Sequence, residues 1–252
     1  MKRVGIVGEG YVGKAQHELF PDADVYDGPK GIGSRAVINT CEVVFVCVPT
    51  PLQEGKLDTS IVEEVVEWCE ADVICLRSTV NPGDSDGWAT DYEKRIVVQP
   101  EYMGESPAHP FMDHSERPFM ILGGKPGDRR EVIEAYQQVY NANINIRQVS
   151  RLEAEIIKLS ENRAIAWKVA QAQELYDACE EAGVDYYTVR DAVYGDDPRF
   201  NLWHTFVYPE KRGMSSSCIP KDVYAWAAWA ESVGADARMT QAILERNEEW
   251  IS

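Results

Sequence analysis

The sequence has little positive charge. Its 25 lysines and arginines stand against 42 aspartates and glutamates, which gives a formal net charge of −17. A surface of this sign repels nucleic-acid phosphates and the headgroups of anionic membranes, so we expect neither as a partner. An anionic ligand must instead be held by a local site.

Long apolar runs and cysteine pairs are missing as well. No stretch approaches the roughly 18 apolar residues of a membrane span, and the run in MKRVGIVGEG is typical of a strand rather than of a signal peptide. The six cysteines form no CxxC pair, and 252 residues can bury a core without disulfides. We expect a cytoplasmic protein with reduced thiols and no metal site. Five cysteines are interpreted as packing residues, whereas Cys218, in a polar turn, is either a nucleophile or a packing residue.

The first 150 residues alternate short apolar runs with helical patterns. Runs of strand length lie at residues 3–8, 23–27, 43–49, 72–78, 95–100, 118–124 and 144–150. This alternation is typical of a parallel sheet that is covered by helices. It predicts an α/β fold with a Rossmann-type, doubly wound parallel sheet.

No run after Ser150 is strand-like. The pattern predicts one helix of about 32 residues over 151–182, which Gly183 ends. Further helices are predicted near residues 185–194, 220–233 and 236–251.

These patterns predict two domains, an α/β domain at 1–150 and an all-helical domain at 151–252. The long helix, together with Trp226 and Trp229, carries more apolar surface than a small helical domain readily buries. We therefore expect a homodimer through this second domain. The alternative is that the same surface packs on the first domain.

The segment GEGYVG has the GxGxxG spacing, and it follows a predicted strand and opens a predicted helix. Such glycines let the backbone approach a pyrophosphate, and the helix N-terminus supplies N–H groups and partial positive charge. The residues predicted to bind a dinucleotide here are Gly8, Gly10, Tyr11, Val12 and Gly13. Asp27 ends the next strand, where a carboxylate accepts from a ribose 2′-OH and repels a 2′-phosphate. We therefore predict NAD rather than NADP; the alternative is a glycine turn beside a surface aspartate.

Two further strands end in the polar segments VPTP (48–51) and STVNPG (78–83). Ligands of open α/β sheets bind beyond the carboxyl ends of the strands. We therefore predict that both segments line the cofactor cleft, through Val48, Pro49, Thr50, Ser78 and Thr79. The alternative is that their hydroxyl residues only cap helices and turns.

The predicted helical domain contains two polar groups of interest. Lys158 and Asn162 are one helical turn apart and share a face, so they are either substrate contacts or solvated residues near the helix start. Cys218 lies in SSSCIPKD (215–222), where Lys221 and Asp222 are close enough in sequence to affect its thiolate fraction.

Several segments follow one another in the order of a known family. They are GIVGEGYVG (5–13), VPTP (48–51), STVNPG (78–83), PEYMGES (100–106), KLSEN (158–162), DDPRF (196–200), SSSCIPKD (215–222) and ILERNEEW (243–250). The sequence resembles the UDP-glucose/GDP-mannose dehydrogenase family, in a short form that lacks the C-terminal domain binding the nucleotide of the sugar nucleotide. One departure is that the family's usual GFGG before the cysteine is here GMSS (213–216).

The resemblance implies NAD-dependent oxidation of a primary alcohol to a carboxylate in two hydride transfers, on a sugar or a sugar nucleotide. Cys218 would capture the intermediate aldehyde as a thiohemiacetal, and loss of a second hydride would give a thioester. Lys158 and Asn162 would bind the substrate and stabilise alkoxide charge. Glu101 would act as general base through a water that Asp222 orients.

The resemblance also implies contacts with the cofactor and with a second copy of the chain. Thr79 and Glu105 would border the nicotinamide, and Lys221 would contact cofactor or substrate. Arg199 would reach a substrate, across a dimer interface.

Two other functions remain open at this point. A two-electron β-hydroxyacid dehydrogenase also combines a dinucleotide domain with a K-x-x-x-N helix, but it does not require a nucleophilic cysteine, so SSSCIPKD argues against it. A non-catalytic NAD-binding scaffold or sensor is favoured by the short chain. The joint presence of Glu101, Lys158, Asn162 and Cys218 argues against that role.

Overall fold

The computed structural model describes residues 2–102, 118–140 and 144–252. This part of the chain divides into two compact units. The first comprises Met1–Gln53 and Leu57–Lys158, and the second comprises Glu54–Lys56 and Leu159–Ser252. None of the helices described here is long and apolar enough to cross a membrane.

Strands and helices alternate along the first 150 residues. The strands are β1 (Val4–Val7), β2 (Asp24–Tyr26), β3 (Val43–Val46), the hairpin strands β4 (Leu52–Gln53) and β5 (Lys56–Leu57), β6 (Val73–Leu76), β7 (Ile96–Val98), β8 (Phe119–Gly123) and β9 (Asn145–Val149). The helices are α1 (Tyr11–Leu19), α2 (Arg35–Ile38), α3 (Ser60–Trp68), α4 (Asp84–Asp91) and α5 (Pro126–Tyr136).

Seven of these strands form one sheet in the order β2-β1-β3-β6-β7-β8-β9. Neighbouring strands run parallel except at the junction of β7 with β8, which is antiparallel. The chain moves from β1 outward to β2 and then returns to β3 on the other side of β1. This reversal is the switch point of a doubly wound sheet, and ligands bind beside it at the carboxyl ends of the strands. The predicted fold class is confirmed.

The central strands are buried on both faces. In β6, Ile74 and Leu76 pack into the core on one side of the sheet, whereas Val73 and Cys75 pack into the core on the other. A strand that is covered on both faces must be apolar at every position, which explains the unbroken VVFV and VICL runs.

The described chain after β9 is helical, as predicted. Its helices are α6 (Arg151–Ala182), α7 (Tyr186–Arg190), a π-helical turn (Asp191–Gly195), α8 (Ile219–Ser232) and α9 (Arg238–Ile251). Gly183 follows α6 with φ of 67°, the left-handed conformation that ends helices and that glycine adopts without strain. Residues of α6, α8 and α9 share a small core with Met214, which precedes α8; its buried members are Ala166, Met214, Val223 and Leu244.

Candidate active site

The glycine-rich loop joins β1 to α1 through a close backbone approach. Gly8 has φ of 91°, and a side chain there would meet the Cys47 carbonyl oxygen at 2.6 Å. A side chain at Gly13 would overlap the Gly8 carbonyl. Gly10, at the N-cap of α1, faces no atom within 4 Å of where its side chain would be. The loop therefore leaves open space at Gly10, beside the N-terminus of α1, and such a helix N-terminus suits a pyrophosphate.

Asp27 lies half-buried beside this loop. One of its carboxylate oxygens accepts from the Glu9 backbone N–H at 2.9 Å, and the other accepts from the Lys30 N–H at 3.1 Å. Each oxygen keeps a further lone pair, so the carboxylate can still accept from ribose hydroxyls. The Lys30 ammonium lies 3.8 Å from Asp27 and 3.9 Å from the Glu9 carboxylate. Sequence reasoning missed Lys30, because only the turn after β2 brings it back to this point.

The two predicted cofactor segments are joined by a hydrogen bond. The Ser78 hydroxyl donates to the Val48 carbonyl at 2.7 Å, so STVNPG and VPTP lie side by side at the carboxyl ends of β6 and β3. Thr50 is buried, Pro49 is exposed, and Thr79 is half-buried. The hydroxyl of Ser78 thus holds the backbone of the neighbouring segment in place.

Glu101 is buried beyond the end of β7. Its carboxylate forms an ion pair with the guanidinium of Arg77, the residue that follows β6. Only 1% of the Arg77 side chain is exposed. Sequence reasoning missed Arg77, although one arginine at the end of the apolar run VICLRS was a usable signal, since a cation there needs a partner.

A cavity of about 10 Å³ lies behind the STVNPG segment. Its walls include Arg77, Thr79, Glu155 and Lys158. This volume holds about one water molecule. The Lys158 ammonium lies 5.4 Å from the centre of the Tyr102 ring.

In the second unit, Asp222 brings together two other predicted residues. Its side chain is 1% exposed. One carboxylate oxygen accepts from the Asn162 amide at 2.6 Å, and the other accepts from the Lys221 ammonium at 2.6 Å. Burial of this carboxylate is tolerated because both of its oxygens are hydrogen-bonded.

Cys218 occupies the N-cap position of α8, one turn before Asp222. Its thiol is exposed and lies 3.5 Å from the Ser217 hydroxyl. The N-terminus of a helix stabilises a thiolate through its N–H groups and partial positive charge.

The other five cysteines are buried. Burial raises the pKa of Cys41 to about 11 and that of Cys47 to about 12, and it raises the pKa of Cys69 and of Cys75. These thiols remain protonated at neutral pH and are poor nucleophiles.

The two remaining predicted contacts are Arg199 and Glu105. Arg199 is exposed and pairs with the nearby Asp197, with 2.9 Å between Nε and Oδ2. Glu105 lies outside the described residues.

The predicted residues fall into two sets. The glycine-rich loop, Asp27, Thr79, Glu101 and Lys158 belong to the first unit. The second unit contains a set made of Asn162, Cys218, Lys221 and Asp222. Within the described residues, no group of three or more His, Cys, Asp or Glu side chains is arranged to hold a metal ion.

Sequence comparison identifies the family. Residues 33–161 match the UDP-glucose/GDP-mannose dehydrogenase family, NAD binding domain, and residues 152–249 match the central domain of the same family. The chain belongs to this family. Its cofactor is therefore NAD, and the glycine-rich loop and Asp27 fit the pyrophosphate and ribose of that dinucleotide.

Individual members of the UDP-glucose/GDP-mannose dehydrogenase family agree with this assignment. The UDP-glucose 6-dehydrogenase of Pseudomonas aeruginosa is 30% identical over 225 residues, which cover 82% of this chain and 48% of that protein. The GDP-mannose 6-dehydrogenase of Pseudomonas putida is 28% identical over 234 residues, covering 85% of this chain and 52% of that protein. The chain thus spans about half the length of these relatives.

A solved structure supports the fold. A UDP-glucose dehydrogenase from the hyperthermophilic archaeon Pyrobaculum islandicum superposes with a TM-score of 0.80 at 22% identity. The match covers 99% of this chain and 68% of that one.

Proposed function

We propose that the protein catalyses NAD-dependent oxidation of a primary alcohol of a sugar nucleotide to a carboxylate, with Cys218 as the covalent nucleophile. The observation that carries this proposal is the position of Cys218. It is the one exposed cysteine, at the N-terminus of α8, one turn before a buried Asp222 that Asn162 and Lys221 hold in place. A cysteine that only fills a core needs no such surroundings.

The proposed reaction consists of two oxidation steps, with addition of the Cys218 thiol between them, and a final hydrolysis. NAD⁺ held by the glycine-rich loop and Asp27 would supply the hydride acceptor; the alcohol carbon would lose a hydride and the hydroxyl its proton, which gives the aldehyde. The Cys218 thiol would add to the aldehyde to give a thiohemiacetal, and loss of a second hydride from its carbon to another NAD⁺ would give the thioester and a second proton. Water then hydrolyses the thioester, which releases the carboxylate and a third proton and restores the thiol.

The other residues act on charge and protons. Lys158 and Asn162 stabilise the alkoxide that develops before each hydride leaves. Glu101 takes the proton, through a water that Asp222 orients. Thr79 and Glu105 border the nicotinamide, Lys221 contacts cofactor or substrate, and Arg199 reaches a substrate.

The experiment that tests this function measures the ratio of NADH formed to carboxylate formed. Purified protein is incubated with NAD⁺ and either UDP-glucose or GDP-mannose, and NADH and carboxylate are quantified. The wild type should form two NADH per carboxylate. The C218S variant should release aldehyde or stop after one hydride transfer, because an oxygen nucleophile is weaker and would form an ester.

A matched control replaces a buried thiol. C179S should keep the ratio of two, because Cys179 is buried in the helical unit and the ratio does not depend on the amount of folded protein. A ratio of one in the wild type would instead indicate a two-electron dehydrogenase. Binding of NAD without any turnover would indicate a non-catalytic NAD-binding protein.

We further propose two domains, an NAD-binding domain at 1–150 and a helical dimerisation and substrate domain at 151–252, and a homodimer that acts in the cytoplasm. The five buried cysteines are thiols rather than disulfides, which supports a reducing compartment. Exposed aromatic side chains in the helical unit support the homodimer.

A further inference from the structure

Arg77 and Glu101 meet at the carboxyl ends of two neighbouring strands. Leu76, the last residue of β6, pairs with Val98, the last residue of β7. Arg77 comes directly after β6, and Glu101 lies three residues after the end of β7. Their ion pair therefore lies at the edge of the sheet where ligands of this fold bind.

The pair is closed off from solvent. The Arg77 side chain is 1% exposed and the Glu101 side chain is 9% exposed. Within the described residues, the Nε and Nη1 atoms of Arg77 find no hydrogen-bond acceptor. A guanidinium stays charged in proteins, so this buried cation depends on an anion beside it.

The other titratable groups near Arg77 do not supply that anion at neutral pH. Burial raises the pKa of Cys47 to about 12 and raises the pKa of Cys75 and of Tyr136, although in each case the Arg77 charge opposes the shift. All three groups therefore remain neutral.

Two further titratable groups line the cavity beside Arg77, namely Glu155 and the cation Lys158. The two carboxylate oxygens of Glu155 accept from the N–H groups of Gly83, which precedes α4, and of Ser85 in α4, and burial raises the Glu155 pKa to about 7. Glu101 is thus the carboxylate with which Arg77 pairs.

We propose that Arg77 is a positioning residue for the general base: it fixes the Glu101 carboxylate in one orientation and keeps it ionised, so that it can accept the proton of the alcohol. This inference rests on the proposed function and adds a residue to it. A carboxylate buried to this degree would otherwise favour its protonated form, in which it cannot act as a base.

The first experiment measures the pair without using activity. Urea unfolding midpoints are compared for the wild type, R77M, E101Q and the double variant R77M/E101Q at pH 7.5. Each single variant leaves one charge buried without its partner, so the two losses in midpoint should together exceed the loss in the double variant. If the midpoint losses of the two single variants add up to the loss in the double variant, the two charges are not coupled and the inference is wrong.

The second experiment separates positioning from mere stability. In the wild type, kcat/KM should fall on the acid side as the base becomes protonated. R77M should move this acid limb upward by about one to three pH units, because an opposite charge at this distance favours the ionised form by that amount. R77K, which keeps a positive charge beside Glu101, should shift the acid limb of the kcat/KM profile less than R77M does. E101Q should lower kcat by about 10²- to 10⁴-fold.

The matched control is R95M. Arg95, whose side chain is 45% exposed, pairs with the buried Asp128 at 2.7 Å in the same unit, so this variant removes another ion pair to a buried carboxylate, away from the candidate site. It should leave the acid limb where it is. An unmoved acid limb in folded R77M, or an equal shift in R95M, would overturn the inference. If the wild type forms no NADH with either sugar nucleotide, the proposed function fails, and the unfolding cycle still decides whether Arg77 and Glu101 are coupled.

Discussion

Exposure and helix position distinguish Cys218 from the other cysteines at the residue scale. The thiolate is the reactive form of cysteine, and it is rare where burial raises the pKa of the thiol. For Cys47, with a pKa of about 12, the thiolate fraction at pH 8 is on the order of 10⁻⁴. Local structure, rather than the residue type, therefore decides which thiol reacts.

The first prediction is that Cys218 reacts with iodoacetamide before the other cysteines. At pH 8 its labelling rate should exceed those of Cys47 and Cys75 by more than about tenfold, because those thiols are buried and protonated. Mass spectrometry of peptides after timed quenching measures the rates. All six cysteines should react at similar rates in concentrated urea. Equal rates of Cys218 and Cys47 in the folded protein would favour the packing interpretation of Cys218.

The second prediction concerns Asp27 and cofactor choice. NAD should bind more than about tenfold tighter than NADP, because a 2′-phosphate would be placed beside the Asp27 carboxylate. D27N should weaken NAD binding and reduce this preference. D24N, at the first residue of β2, removes a carboxylate that pairs with Arg3 and should leave the preference unchanged. Titration calorimetry measures both affinities, and an equal affinity for the two cofactors in the wild type would contradict the role of Asp27.

Helix α4 shows how a distant side chain can define an element. Its N-cap is Gly83, in the left-handed conformation, and it has no side-chain cap of its own. The Glu155 carboxylate, on α6, accepts instead from the Gly83 N–H at 2.7 Å and from the Ser85 N–H at 3.1 Å. This contact joins residues 70 positions apart, so the beginning of α4 depends on tertiary packing.

The third prediction is a pH dependence that comes from Glu155. Burial raises its pKa to about 7, against the opposing hydrogen bonds from Gly83 and Ser85. As the pH rises from about 4.5, the unfolded chain loses this proton first, so folding becomes less favourable until the folded group also ionises near pH 7. The wild type should therefore lose about 3 kcal/mol of unfolding free energy relative to E155Q between pH 4.5 and 7, with no further relative change above.

Urea unfolding of both proteins from pH 5 to pH 8 measures this difference. E153Q is the matched control, since Glu153 lies on the same turn of α6 and its pKa is lowered by the Ser150 N–H. Between pH 5 and pH 8 the stability difference between the wild type and E153Q should stay nearly constant, because a pKa lowered from 4.5 places the ionisation of Glu153 below this range. A constant difference between the wild type and E155Q would contradict the raised pKa.

Exposed aromatic side chains are concentrated in one segment of the helical unit. Four of them are more than half exposed, at Phe200, Trp203, Phe206 and Tyr208. Trp226 and Trp229, on which the sequence argument for dimerisation relied, are instead half-buried within their own unit. The Arg163 guanidinium stacks 3.9 Å above the centre of the Trp226 ring.

The fourth prediction is a homodimer that uses residues 200–208. Sedimentation velocity at micromolar concentration should give a dimer, because burying these aromatic rings against a second copy removes them from water. W203E should shift the protein toward the monomer. M239E changes a side chain of similar exposure on α9 and should not. A monomeric wild type, or an equal effect of both variants, would contradict the proposed interface.

Much of the fold was predictable because its signals are local. The strand runs, the all-helical second half and the end of α6 at Gly183 follow from apolar periodicity and from one glycine. Helix α4 was not predicted, because DSDGWATD has no pronounced apolar face and its N-terminus is capped by Glu155 from another element. The antiparallel junction of β7 with β8 was also not predicted, because apolar runs do not encode strand direction.

The sequence by itself determined the family, the glycine-rich loop and the candidate residues on each element, since residue type, spacing and order carry that information along the chain. Only the tertiary structure decided which of these residues meet. Arg77 pairs with Glu101 because β6 and β7 are neighbours in the sheet, and Asn162 donates to Asp222 because α6 packs beside α8. The physical reason is that a buried charge is tolerated only beside a partner, and strand order and helix packing, not local pattern, determine which partner lies within reach.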